Sequence, residues 1–351
     1  MEKAKKTYAV AMSGGVDSST TAAILLEKGN NVFGVTMDIN EYSSSTVANA
    51  KNICNILGIK HFVLDAKNIF KKHVMDVFAD YYANGLTPNP CALCNRDIKM
   101  NALLNFAKEK GADVMATGHY VNMSVDGDLV ILKEADNQNK DQSYFLALVD
   151  KRNLKDVIFP LGKIKDKEET RKIAQSFGLP NFNQKDSQDI CFIPNGDYKS
   201  FLRSAYKDLN LFAKGNIKLA SSGEIMGLHE GLANYTIGQR KGLHISYKYP
   251  LYVKKLDTAN NEIIVCLAEE LDTMTFTVVC VNWIIDMPAS FEALIKHRSI
   301  CKKSKAAVTK TSDNSISVQL YERPSSPITS GQICVMYNQD KAVIGGGIIK
   351  S

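Results

Sequence analysis

The stretch Ala9-Val10-Ala11-Met12-Ser13-Gly14-Gly15-Val16-Asp17-Ser18-Ser19 decides how the rest of the chain is read. An apolar run of strand length, Tyr8–Met12, ends in two adjacent glycines and passes into a helical pattern over Ser18–Lys28. Paired glycines let the backbone take positive φ and approach an anion closely. Hydroxyls at Ser13, Ser18 and Ser19, together with the helix N-terminus, supply donors for phosphate. Asp17 has the wrong sign for a bare anion site, and makes sense if Mg²⁺ bridges it to a pyrophosphate. The lysine of a GxxxxGK[ST] loop is missing, so this is not a Walker A motif.

The same rhythm continues outward. Val32–Met37, His61–Leu64 and Val114–Thr117 are further strand-length runs, alternating with helical patterns over Thr46–Leu57, Ile69–Ala83 and Ile98–Lys110. Such alternation predicts an α/β domain whose parallel sheet is covered on both faces. Ligands bind such sheets beyond the carboxyl ends of the strands, where strand order reverses. Ser13–Ser18, Met37–Asp38 and Gly118–His119 are therefore expected to meet in one pocket. The SGGVDS run resembles the PP-loop of ATP pyrophosphatases, which implies adenylation of an acceptor oxygen without naming the acceptor.

A further helix is expected over 163–180, with Asp166 as cap, Glu169 completing a capping box, and Gly178 and Pro180 as stop signals. Glycines at 215, 223, 227, 231, 238 and 242 then punctuate a small β-rich module. From about 275 the runs Phe276–Val281, Ala306–Thr311, Ile316–Tyr321, Gln332–Tyr337 and Ala342–Ile349 have the spacing of a small β-barrel. The chain of 351 residues exceeds one ordinary core. It divides as 1–205, an α/β domain, 206–275, a small central β-rich domain, and 276–351, a C-terminal barrel. Its 45% hydrophobic and 23% charged residues are those of a soluble globular chain. No run is long and apolar enough for a membrane span. The basic start, Lys3, Lys5 and Lys6, leads into an apolar run too short for a signal-peptide core, so a cytoplasmic protein is expected. The net charge of +6 is compatible with a polyanionic partner.

Three motifs carry further chemistry. In Thr87-Pro88-Asn89-Pro90-Cys91-Ala92-Leu93-Cys94-Asn95, two prolines stiffen a loop before a helix expected to begin near Cys94 or Asn95. A thiol at a helix N-terminus is favoured as thiolate. Lys185-Asp186-Ser187-Gln188-Asp189-Ile190-Cys191-Phe192-Ile193 sets Cys191 in an apolar stretch, and Lys140-Asp141-Gln142-Ser143-Tyr144-Phe145 places charge and amide before an aromatic pair. Read singly, Cys191 fits a buried core thiol, Cys91-x-x-Cys94 a structural zinc or redox pair, and Lys140–Phe145 a solvated turn running into a strand.

Together with the Ser13–Ser18 loop these motifs resemble one family, the tRNA-specific 2-thiouridylases. The resemblance takes in Ala11–Ser18, Asn89–Asn95, Ala116–Tyr120, Lys140–Leu146, Lys185–Ile193, Tyr235–Leu243, Gly331-Gln332 and Gly345–Gly347. It implies an N-terminal PP-loop (HUP-like) α/β domain, a small central β-rich domain and a C-terminal β-barrel. By the same resemblance Ala11, Met12, Ser13, Gly14, Gly15, Val16, Asp17, Ser18, Met37 and Gly118 hold ATP, with Mg²⁺ near Asp17. Asn89, Pro90 and Cys91 face the target base. His119, Lys140, Asp141, Gln142, Arg298, Ser299 and Gln332 meet the tRNA, expected to be the Lys, Glu and Gln isoacceptors. Cys94 is the nucleophile and Cys191 carries sulfur as a persulfide, received from a cysteine desulfurase or sulfur-relay protein. The implied reaction is ATP-dependent adenylation of the uridine C2 oxygen at wobble position 34, then sulfur transfer to give 2-thiouridine with release of AMP and pyrophosphate.

The chain departs from the family pattern at two places. Cys91 stands where aspartate is usual, so that Cys91, Cys94 and Cys191 bring three thiols to one pocket. Three readings follow: a [4Fe–4S] cluster on the three thiolates, with one iron open for sulfur, a spare thiol beside an unchanged persulfide route, or a zinc ion on the thiols. Arg298-Ser299 replaces a more usual Arg-Tyr pair, which keeps a phosphate grip and removes a stacking ring. The rival functions are a PP-loop amide-type ligase delivering ammonia, or an iron–sulfur or RNA-binding protein with a vestigial nucleotide loop. Ammonia transfer has no need of Cys94 and Cys191, and the intact Ser13, Asp17 and Ser18 speak against a vestigial loop.

Overall fold

The computed structural model describes residues 5–185, 189–271 and 273–350. Asp186, Ser187 and Gln188 of the Lys185–Ile193 motif lie outside the described residues.

The first five-stranded sheet is built from β1 (Thr7–Ala11), β2 (Asn31–Asp38), β3 (Lys60–Asp65), β4 (Val114–Ala116) and β7 (Val157–Ile158), in the order β3-β2-β1-β4-β7. All its pairings are parallel. The chain walks outward from β1 to β3 and then returns to β4 on the other side of β1. The switch point, where a ligand crevice opens, therefore lies between the ends of β1 and β4. Helix α1 (Val16–Glu27) follows β1 at once, and α2 (Ser44–Ile56) follows β2. Val10, Met12, Ala22, Ala23, Ile53 and Cys54 bury one face of the sheet against these two helices. Ala9, Phe33, Val35, Met100, Leu103 and Met115 fill the other, beneath the long helix that begins at Pro90.

A hairpin of β5 (Asn122–Asp126) and β6 (Leu129–Lys133) leaves this domain toward the C-terminal part. The central sheet, in order β10-β11-β8-β9, comprises β8 (Gly215–Leu219), β9 (Ile225–His229), β10 (Tyr252–Asp257) and β11 (Glu262–Cys266). Six strands then close into a barrel in the order β12-β15-β14-β13-β16-β17: β12 (Thr275–Trp283), β13 (Ser290–Lys296), β14 (Ser304–Ser312), β15 (Ser315–Leu320), β16 (Ile333–Tyr337) and β17 (Val343–Lys350). Closure leaves no unpaired strand edge. Val278, Ile295, Val308, Ile316, Val318 and Met336 pack inside it. Among the described residues no helix is long and apolar enough to cross a membrane.

The barrel is locked onto the N-terminal domain. Tyr144 OH donates to the Ile333 carbonyl at 2.8 Å, and the Asn282 amide donates to the carbonyls of Ala147 and Val149. The Ser143 and Tyr337 hydroxyls lie 3.1 Å apart. Lys303 reaches Glu134 at 2.6 Å, a carboxylate whose side chain is only 4% exposed. The segment Ser143–Leu146 is a buried helical turn, not the solvated turn into a strand that its polar start suggests. Tyr144, fully inside, supplies the apolar anchor that turns the run inward.

Candidate active site

Gly14 takes φ of +75°, and a Cβ there would stand 2.7 Å from Asn49 Cβ, so only glycine fits. Gly15 is the N-cap of α1 and has no side chain to accept from the first turn. The first N–H groups of the helix are thus left for a ligand, the arrangement suited to phosphate. Ser18 Oγ accepts from the Ser13 amide at 3.2 Å and donates to the Gly15 carbonyl at 3.0 Å, fixing the loop. Gly118, following β4, crosses directly over it: a Cβ would lie 2.8 Å from Asp17 C and 2.9 Å from Ser18 N.

A cavity of about 210 Å³ opens at this crossing. Ala11, Met12, Ser13, Asp17, Ser18, Met37 and Gly118 line it, so the ends of β1, β2 and β4 do converge. Gly14, Gly15 and Val16 form the turn beneath. Thr117, His119 and Gln142 complete the wall, with Lys99 and Leu103 from the long helix. Asp17 does not stand alone: Lys167 Nζ lies 2.6 Å from its Oδ1, and Tyr120 OH donates to the same oxygen at 2.8 Å. Lys167 opens the helix Lys167–Ser176, which Asp166 caps by accepting from the Glu169 amide at 2.8 Å. Asn181 donates from its amide to the Gly14 carbonyl and to Ser19 Oγ, tying the chain after that helix to the loop.

A second cavity of about 300 Å³ shares Met12, Ser13, Met37 and Lys99 with the first. Cys91, Cys94 and Cys191 all line it, among Phe70, Val74, Ile190 and Phe192. The helix carrying the first two thiols starts at Pro90, earlier than the expected start at Cys94 or Asn95. Asn89 is its cap, accepting from the Ala92 amide at 3.1 Å, and Pro90 occupies the first turn, where its missing N–H costs nothing. Cys94 therefore lies a full turn inside the helix and not at its end. Burial pushes its thiol up to about 12, against the opposing pull of Lys99. Cys91 and Cys191 are open to solvent, yet their thiols are also raised, by desolvation before any charge effect. In this state the three are thiols, and a thiolate has to be drawn out by an incoming charge or partner.

The donor set bears on a single-ion site at the three thiols. Among the described residues no three His, Cys, Asp or Glu side chains are placed to hold one metal ion. The thiols share a cavity wall without meeting at a point, so as placed they do not converge on a single ion such as zinc.

The other residues singled out in the sequence take varied positions. His119 is buried, its Nδ1 2.6 Å from Thr117 Oγ1, and burial with the Lys99 charge holds its ring well below the usual imidazole range. Gln142 accepts from the Tyr120 amide at 3.0 Å. Asp141 turns inward, accepting from the Ala135 and Ser143 amides and from Ser143 Oγ; desolvation nevertheless raises its carboxyl. Lys140 precedes it on the same turn, its amide donating to the Asn137 carbonyl. Arg298 joins the barrel to the central domain, donating to the Ile237 carbonyl at 3.4 Å and to Thr329 Oγ1. Ser299 beside it is half-buried. Gln332 donates to the carbonyls of Thr87 and Pro88 at 3.2 and 3.1 Å, holding the Asn89–Pro90 loop from the barrel side. Lys99, Lys167 and Asn181 were not singled out from the sequence. Asp166 marked the helix that delivers Lys167, but nothing local distinguishes Lys99 from the other surface-type lysines.

Fold and site together define an α/β nucleotide-binding enzyme of the HUP type, extended by two β domains. The family model described as "tRNA methyl transferase HUP domain" matches residues 6–195. The models described as "tRNA methyl transferase PRC-barrel domain" and "Aminomethyltransferase beta-barrel domain" match 200–267 and 273–349. The "tRNA-specific 2-thiouridylase MnmA" of Rickettsia prowazekii (strain Madrid E) is 41% identical, over 98% of this chain and 99% of that protein. That of Trichlorobacter lovleyi (strain ATCC BAA-1151 / DSM 17278 / SZ) is 42% identical, over 98% of this chain and 97% of its own. The Rickettsia typhi (strain ATCC VR-144 / Wilmington) protein of the same name is 41% identical over 98% of both chains. This chain belongs to the MnmA family of tRNA-specific 2-thiouridylases, which are tRNA sulfurtransferases.

Proposed function

We propose that the chain converts a tRNA uridine, at wobble position 34, to 2-thiouridine, with ATP bound in the first cavity and the base in the second. The observation that carries this reading is the shared wall. Lys99 and Met37 line both cavities, so a nucleotide held at Ser13–Ser18 and Gly118 lies across a common wall from the thiols. The base has to leave the anticodon stack to reach that depth. Tyr42, 70% exposed at the second cavity, offers it a stacking face.

The uridine C2 oxygen attacks the α-phosphorus of ATP and pyrophosphate leaves, which turns a poor leaving group into AMP. The outer sulfur of a persulfide on Cys191 attacks C2, and AMP departs. Cys94 then attacks Cys191 Sγ, breaking the sulfur–sulfur bond; 2-thiouridine is freed and a Cys94–Cys191 disulfide is left for an external dithiol to reduce. The raised thiol of Cys94 suits this order, since it stays protonated and inert until the mixed disulfide sits beside it. Asp17, whose Oδ1 is held by Lys167 and Tyr120, would offer its other carboxylate oxygen to Mg²⁺, which would neutralise phosphate charge there. Asn89 and Pro90 set the loop that faces the base; Cys91, with no carboxylate to offer, is a bystander thiol in this route. Lys140, Asp141, Gln142, His119, Arg298, Ser299 and Gln332 shape the tRNA-facing side, several of them by bracing loops from within. The protein works in the cytoplasm on the Lys, Glu and Gln isoacceptors, fed by a cysteine desulfurase or relay protein.

The test is Cys191→Ser. Thiolation is lost while tRNA affinity stays within a few-fold; retained thiolation in this variant overturns the persulfide role.

A further inference from the structure

The long helix that carries Cys94 changes its winding at that residue. From Cys94 to Leu103 it is bonded i→i+5, a wide form that is rare and concentrates at functional sites. In an ordinary α-helix a residue five positions on points about 140° away from the first. In the wide form residues five apart become neighbours along the axis. The change has one consequence for the site: Lys99, five residues after Cys94, faces the same cavity as the thiol.

Lys99 borders both cavities, together with Met12, Ser13 and Met37, and of these four it alone carries a charge. Among the described residues no carboxylate lies within ion-pair distance of its ammonium. The charged and titratable groups around the thiols come from four elements, one of them the turn after β2, which carries Tyr42. Asp97 and Lys99 lie on the helix, Asp189 and Cys191 on the turn before Phe192, and His119 after β4. Lys99 is the cation of that set, and it acts on Cys91, Cys94, Cys191 and His119 alike. A cation with no ion-pair partner among the described residues, turned inward by a local change of helix winding, has a ligand to meet.

We propose that Lys99 is a charge-stabilising residue shared by the two cavities, its ammonium holding phosphoryl oxygen on one side and thiolate on the other. The proposal rests on the reading of the cavities as nucleotide and base sites. One cation then serves both halves of the reaction in turn. It supports the α-phosphoryl group during adenylation. When AMP departs, the same charge is released to the sulfur side, where a thiolate has to form.

The test uses the full chain, wild type, Lys99→Met and Lys99→Arg. Iodoacetamide alkylation of each cysteine is followed by peptide mass spectrometry from pH 6 to 10, without ATP or tRNA, and AMP affinity is measured by calorimetry. In Lys99→Met, Cys91 and Cys191 alkylate about tenfold more slowly below their midpoints, because losing the cation moves each midpoint up. Exposed Cys280 keeps its rate as the internal control. AMP binds about tenfold more weakly, the loss of a charged hydrogen bond, and Lys99→Arg restores both. Unchanged profiles at Cys91 and Cys191, or AMP affinity within twofold of wild type, overturn the shared role. If buried Cys334 becomes reactive in Lys99→Met, the fold has opened, and Lys99→Gln supplies the same two readings. A wild-type protein with no AMP affinity overturns the nucleotide reading itself, which a variant effect alone cannot do.

Discussion

Adding a single methyl group at Gly118 should disable the nucleotide loop. Gly118 does not have a positive φ, so alanine there carries no backbone strain; the cost is purely one of space. Its Cβ would meet Asp17 C at 2.8 Å, Ser18 N at 2.9 Å and Asp17 Cβ at 3.0 Å. Two of these three are backbone atoms, so no side chain can swing aside. Either the end of β4 or the start of α1 has to shift by several tenths of an ångström. Overpacking of this kind costs about 1–3 kcal/mol. The N–H groups at the start of α1 move with the shift, so the same energy is lost from phosphate binding and ATP affinity falls about 5- to 150-fold. The assay is calorimetric titration with ATP, paired with a urea melt. Gly29 is the control, because a Cβ there meets nothing within 4 Å. Its positive φ costs Gly29→Ala some stability, but that change leaves the loop alone and ATP affinity intact. Gly118→Ala with wild-type ATP affinity would refute the claim that the crossing of β4 over the loop sets the site.

Three further outcomes follow from contacts elsewhere. Lys303→Met leaves Glu134 buried without its cation and lowers stability by about 3–5 kcal/mol in denaturant melts; a loss under about 1 kcal/mol would show the pair to be dispensable. Gln332→Ala removes two hydrogen bonds to the Thr87–Pro88 carbonyls, about 1–2 kcal/mol in all. Faster amide exchange confined to residues 86–94, with weaker thiolation, is the expected readout, and an unchanged exchange pattern there would contradict the bracing role. His297 is fully buried, neither ring nitrogen has a partner among the described residues, and desolvation lowers it to about 4. Between about 6.5 and 4 the unfolded chain takes up a proton that the folded chain refuses, so stability is complete above 6.5 and falls as pH drops. The loss reaches about 3 kcal/mol by about pH 4. His297→Phe should flatten that part of the stability–pH curve, and an identical slope in the variant would assign the acid sensitivity elsewhere.

The nucleotide half of the site was readable because its signal is local. Gly14, Gly15 and the serines around them have the residue types that a phosphate turn demands, and β1 and α1 flank them at the expected spacing. The thiol half was harder to read. Pro88 and Pro90 suggest a stiff loop, yet Pro90 is the first helical residue and Asn89 its cap, so Cys94 ended up inside the helix with a raised thiol. The inward turn of Lys99 depends on how the helix winds after Cys94, which no single residue announces. The barrel was recognisable from five of its six strands. The sixth, Ser290–Lys296, reads Ser-Phe-Glu-Ala-Leu-Ile-Lys, rich in helix formers, and only its pairing with Ser304–Ser312 and Ile333–Tyr337 makes it a strand. Gln332 and Arg298 are given to the tRNA by the resemblance alone, and that both also brace internal joints between domains could not be read from the chain. Long-range contacts of that kind leave no periodic trace in the chain.

The most direct measurement incubates the purified protein with ATP, Mg²⁺, an unmodified tRNA bearing uridine at position 34 and a persulfide donor. The tRNA is then digested and its nucleosides are analysed by mass spectrometry, with AMP and pyrophosphate counted in parallel. The account predicts 2-thiouridine at position 34 in step with AMP and pyrophosphate, and neither thiolation nor the disulfide-linked peptide pair of Cys94 and Cys191 in the Cys191→Ser protein. Thiolation without AMP release, or AMP release with ammonia incorporated in place of sulfur, would contradict it.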